Sequence, residues 1–150
     1  MVSLLLSDPR IDPNKPSISG ATPFFVSCQE GHKEVVSLLL ADPIIDLNKP
    51  KNDQSTPLWY ASQNGHLVVA QLLLASGRQI DTQRRSNYNQ MTAAEQGRLV
   101  ATLDREPHES VEAFERRVTN GPLIAALMDS FEKDPVSVRF QLRRQFGMPC

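Results

Sequence analysis

Two groupings of side chains in this sequence have the types and spacing of reactive sites. Cys28 and His32 stand one helical turn apart, so the imidazole could stabilise a thiolate and make a nucleophile. Glu106, His108 and Glu109 bring two carboxylates and an imidazole into one short stretch, a thin set of metal donors. Neither extends into a full motif. There is no Gly-rich phosphate loop, no nucleophile elbow around a serine, and no Cys/His cluster at zinc spacing. Cys28 is therefore expected to pack in a core, and the Glu106–Glu109 groups to be solvated. Arg139, Arg143 and Arg144 suggest a basic helix face and Arg84-Arg85 a smaller one, both read as solvated rather than as phosphate sites. The chain is predicted not to be an enzyme: no catalytic residues, no metal, no cofactor.

The elements that carry these residues must suit an ordinary globular composition. In 150 residues, 16 Lys+Arg face 17 Asp+Glu, and 40% hydrophobic with 22% charged residues is the usage of a modest folded domain. That balance argues against disorder, against a nucleic-acid binder, and against a membrane span, since the longest apolar runs are short. Two cysteines, Cys28 and Cys150, make no disulfide framework. The opening MVSLLLSDPR lacks a basic leader, so a cytoplasmic location is expected, with the nucleus as the alternative.

Internal repetition organises the chain. A shift of 34 residues lays Asp8–Leu40 over Asp42–Leu74 with 16 identities in 33 positions. The shared pieces are DP, NKP, TP, GH and LLL, and Val2–Leu6 repeats Val36–Leu40. Each unit reads physically. Thr22 and Thr56 are suited to cap a helix, and Pro23 and Pro57 sit at its first position, where a missing N–H costs nothing. Gly31 and Gly65 end that helix in a left-handed turn. A second helix follows through LLL and stops, in the first unit, at Asp42-Pro43, which opens an Asn/Asp/Pro-rich turn.

The segments ATPFFVSCQEGHKEVVSLLLAD and STPLWYASQNGHLVVAQLLLAS resemble the ankyrin repeat, a helix-turn-helix unit with a β-turn and the signature T-P-L-H-x-A. The resemblance implies an all-α solenoid: a partial repeat over 1–15, repeats at about 16–49 and 50–83, and a degenerate one at 84–104 in which Thr92 caps the first helix. The signature histidine is Phe25 in one unit and Trp59 in the other, so its polar tie to neighbouring turns is expected to be lost. His32 and His66 recur with the repeat and are read as turn residues. No GH turn closes the last unit. Residues 105–150 instead suggest a polar loop and three helices, near 109–119, 122–133 and 135–146, divided by Asn120-Gly121-Pro122 and Asp134-Pro135. VSVRFQL could alternate as a strand, but the preceding Asp-Pro favours a helix. This segment is expected to cap the array, rather than to form a separate interaction module, with Phe114, Leu127 and Phe131 inward and Glu112, Glu115, Arg116, Arg117, Arg139, Arg143 and Arg144 outward.

Function follows from the surface such an array presents. A protein partner is expected at the turn tips Ser19, Ala21, Asp53, Ser55 and Tyr88 and at a helix strip of Phe25, Gln29, Glu30, Trp59, Tyr60, Gln63 and Asn64. The competing reading buries Phe25 and Trp59 between repeats. The alternative function is a regulatory or targeting segment of a larger signalling enzyme. A monomer is expected. Asn48, with Leu40 eight residues before it and Asp46-Leu47 beside it, resembles the turn asparagines that are β-hydroxylated in this family, against the simpler reading of an Asn bonding its own turn.

Overall fold

The computed structural model describes residues 8–87 and 89–149. Val2–Leu6, Tyr88 and Cys150 lie outside the described residues. Seven helices and no strands occur among them: α1 Pro23–Glu30, α2 Lys33–Leu40, α3 Pro57–Gln63, α4 Leu67–Ala75, α5 Ala93–Val100, α6 Val111–Lys133 and α7 Pro135–Gln145. The all-α solenoid is thus observed. Its starts are chemical. The Thr22 and Thr56 hydroxyls each accept from a backbone N–H three residues on, at 3.1 Å, with Pro next in the chain. Thr92 goes further, because Glu95 also reaches back to its N–H at 2.8 Å and closes a capping box. Gly31 and Gly65, at φ 75° and 70°, turn the chain from first helix to second.

The first helices α1, α3 and α5 stack side by side, and α2 and α4 lie behind them as a second layer. Between helix pairs the chain projects as turns at 17–21, 51–55 and 86–91, each closed by backbone hydrogen bonds of 2.8–3.1 Å. Asn52 N–H donates to Ser19 at 3.0 Å and Asn87 N–H to Asp53 at 2.7 Å, so the three turns form one ledge. Phe24, Leu58, Trp59, Leu73, Ile124 and Met128 belong to one continuous buried core.

Two features of the C-terminal segment depart from the sequence reading. Asn120-Gly121-Pro122 does not divide a helix, since α6 runs unbroken from Val111 to Lys133 with Pro122 inside it. A mid-helix proline costs about 3 kcal/mol. Packing offsets this: Asn120 donates to the Gly65 carbonyl at 2.9 Å, and Ile124, Ala125 and Met128 are fully buried just beyond. Gly121 itself lies against Gly97 of α5, where a Cβ on Gly97 would stand 2.7 Å from the Gly121 oxygen. The helix therefore continues because it crosses α5 backbone to backbone. Secondly, Arg117 is not on an outer face; it is 7% exposed and works as a helix cap. Leu127 and Phe131 pack against the core as expected, and Phe114 is half-buried beneath the Arg117 guanidinium, 5.0 Å away. α7 is a helix, begun by Asp134, whose carboxylate accepts from Ser137 N–H at 3.1 Å, and it folds back along α4.

Candidate partner-binding surface

The ledge of turns and the adjoining first helices form the surface on which recognition was expected, and its residues divide into exposed and buried sets. Ser19 and Glu30 are exposed; Ala21, Gln29, Asp53, Tyr60, Gln63 and Asn64 are half-buried. Phe25 is 0% and Trp59 2% exposed, so both pack between repeats and neither presents a ring to a partner. Ser55 is also buried, its hydroxyl donating to that of Ser86 at 2.9 Å. Phe25 and Trp59 leave the expected strip because the signature position points into the stack, where an aromatic side chain gains most from burial, and Ser55 leaves the turn tips because its hydroxyl is engaged by the next turn.

Trp59 also retains the polar tie whose loss the missing histidine implied. Its indole N–H donates to the Met91 carbonyl of the next turn at 3.0 Å. The polar tie survives with a different donor. Phe25 has none, and instead meets the Tyr60 ring edge-on at 5.3 Å, while Trp59 meets the same ring at 5.1 Å. Over Tyr60 sits Lys51, its ammonium 4.8 Å from the ring centroid and 3.3 Å from the hydroxyl. One half-buried aromatic, covered by a lysine from the second turn, is thus the accessible part of the strip.

Asn64 is structural rather than free: its amide donates to the Gln29 carbonyl at 2.9 Å, tying repeat to repeat. Sequence reasoning also missed surface residues. Ile18, at the apex of the first turn, is fully exposed, and Val26 on α1 is 44% exposed. A signal existed for Ile18, an isoleucine between two serines at the position where the second turn carries Asn52. Lys51 gave no comparable signal, since its place over Tyr60 depends on how the turn folds onto the helix.

The groups proposed for chemistry are occupied otherwise. Cys28 is fully buried, and that burial pushes its thiol far above the usual range. Glu109 clasps Arg117, with Nε–Oε1 at 2.7 Å and Nη2–Oε2 at 2.9 Å, and the guanidinium holds its carboxyl below the usual glutamate range. Among the described residues no group of acidic, His and Cys side chains could hold a metal. The basic face is dispersed as well. Arg143 binds the Ala75 and Ser76 carbonyls at 2.8 and 3.1 Å, and the Arg139 guanidinium lies 5.5 Å over Phe131. Arg144 stays exposed. Asn48 does not bond its own turn through its side chain. Its amide donates to Gln79 and accepts from Asp81, both at 2.8 Å, as Asn14 does with Ile44 and Asp46 one period earlier.

No helix among the described residues is long and apolar enough to cross a membrane. No curated protein matches the chain. A family model described as ankyrin repeats, three copies, matches residues 1–84, more than half of the 150. The match ends before α5, yet α5 stacks on α3 in the same manner as α3 on α1, behind a threonine cap of the same kind. By its period, its capped first helices, its ledge of turns and this family match, the chain belongs to the ankyrin repeat family.

Proposed function

We propose that this chain is a non-catalytic, monomeric scaffold inside the cell that, as ankyrin repeats generally do, binds a partner protein, gripping it along the ledge of turns and the exposed edge of the first helices. The observation that carries the reading is the fully exposed Ile18 at the ledge tip, with Val26 exposed and Tyr60 half-exposed on the adjoining helices. A ledge held rigid by backbone hydrogen bonds presents such side chains at little entropic cost. Ser19, Gln29, Glu30, Asp53 and Gln63 form its polar rim. Engagement of Arg143 with helix carbonyls supports a protein rather than a nucleic acid as partner.

The test is capture of partners from the native cell by the wild-type chain and by Ile18→Asp, Val26→Ser and Tyr60→Ala. Each should weaken binding by about 1–3 kcal/mol, at unchanged stability for Ile18→Asp and Val26→Ser, whereas Tyr60→Ala should also lower stability because its ring packs on Phe25 and Trp59. Trp59→Ala should instead lower folding stability by about 3 kcal/mol or more. Full capture by all three surface variants would move the recognition surface elsewhere.

A further inference from the structure

Where the GH turns of both repeats meet α6, a cavity of about 250 Å³ opens between three elements. Lys33 lines it from α2, His66 from the second turn, and Arg116 and Asn120 from α6; Gly31 and Gly65 form part of its wall. None of its lining residues is acidic. Arg116 and Asn120, one turn apart on α6, are held in place from behind. Arg116 Nε donates to the Asn64 carbonyl at 2.9 Å and Asn120 to the Gly65 carbonyl at 2.9 Å. The two Nη nitrogens of Arg116 make no hydrogen bond among the described residues and remain available to a ligand. His66 lies so close over Gly31 that no Cβ would fit there.

We propose that this cavity binds a small tetrahedral oxyanion of the phosphate or sulfate type, held by Arg116, Lys33 and the protonated His66. Charge suits it. Three basic residues from separate elements, one of them a guanidinium with unbonded Nη donors, line the same space beside Leu67, Val68 and Val69, and no carboxylate lines it. Without an anion, burial and the nearby Arg116 hold His66 below its usual range, partly opposed by a hydrogen bond with the Gln29 backbone and by the Glu30 carboxylate. His32 adds to the depression. The groups facing His66 are therefore Gln29 and Glu30 from α1, His32 and Lys33 at the start of α2, and Arg116 from α6. A bound dianion reverses the balance, so binding and protonation of His66 favour each other.

The test is NMR titration of the His66 ring across pH 5 to 8 in sodium sulfate and in sodium chloride at equal ionic strength. Sulfate keeps its charge over that range. The expected result is a His66 midpoint about one unit higher in sulfate, with sulfate binding saturably and about tenfold more tightly at the acid end. Lys33→Gln, which alters an exposed side chain and leaves the fold intact, should weaken sulfate several-fold, and Arg116→Gln more. O-Phosphoserine amide as a second ligand identifies the source. Binding comparable to inorganic phosphate assigns the site to a protein-borne phosphoryl group, and binding of the inorganic ions alone assigns it to the free anion. An unchanged His66 midpoint, or Lys33→Gln and Arg116→Gln variants that bind sulfate like wild type, would overturn the proposal.

Discussion

The repeated region and the C-terminal segment are both helical, yet different devices tie them together. Between repeats, short polar side chains reach one period along the chain: Asn14 to Ile44, Asn48 to Gln79, Asn52 to Ile18 at 2.9 Å, and Asn64 to Gln29. The C-terminal segment uses arginines at helix ends. Arg116 meets the carbonyl after α3, Arg143 those closing α4, and Arg117 those of Val100, Leu103 and Asp104 after α5. Within the repeated region Arg78 is an exception that works in this way, on the turn after α2, through Asp42, Pro43 and Ile45. A helix C-terminus leaves carbonyls unpaired and carries partial negative charge, so a guanidinium fork satisfies both at once. Where the sequence repeats, as at Asn14 and Asn48, the asparagine finds a corresponding acceptor in each unit. Where it does not, a long cation finds a helix end.

The sharpest break in this comparison should come from Arg117. Replacing it with Ala leaves Glu109 without its partner and three carbonyls after α5 without their donor, and should cost about 3–5 kcal/mol in urea denaturation. The same pair predicts an acid limb. Because Glu109 titrates lower when folded, the stability it contributes is complete above the ordinary glutamate range, near about 4.3, and is lost as pH falls through the depressed folded value. Comparing denaturation midpoints of wild type and Arg117→Ala from neutral pH downward checks this, since the variant should lose part of that acid dependence.

Gly121→Ala probes the crossing of α5 and α6. The added methyl would meet the Gly97 carbonyl, backbone that cannot swing aside, and should destabilise by about 2–3 kcal/mol. Asn48→Ala tests the periodic device, removing one donor and one acceptor between turns for about 1–2 kcal/mol. If it cost as much as Arg117→Ala, the contrast between the two regions would fail. The smallest effect should be a gain. Gln54 stands at φ 66° where the first turn has Gly20 at 85°, so Gln54→Gly should raise stability by about 1 kcal/mol in thermal denaturation.

Sequence alone determined the repeat, its threonine caps and its glycine turns, because each depends on one or two residues acting on their own backbone. Thr-Pro starts a helix and Gly-His ends one whatever surrounds them. It also placed α5 by its capping threonine, before any knowledge of what α5 packs on. Tertiary structure decided what depends on a distant partner. Phe25 and Trp59 are core because α1 and α3 stack, and the indole keeps a polar tie because Met91 lies within its reach. Pro122 stays inside a helix because Gly121 can touch Gly97, and Arg117 is buried because α5 ends beside it. Local propensity gives a proline or an arginine its ordinary place. Only the carbonyl, glycine or ring that another element brings close can move it elsewhere.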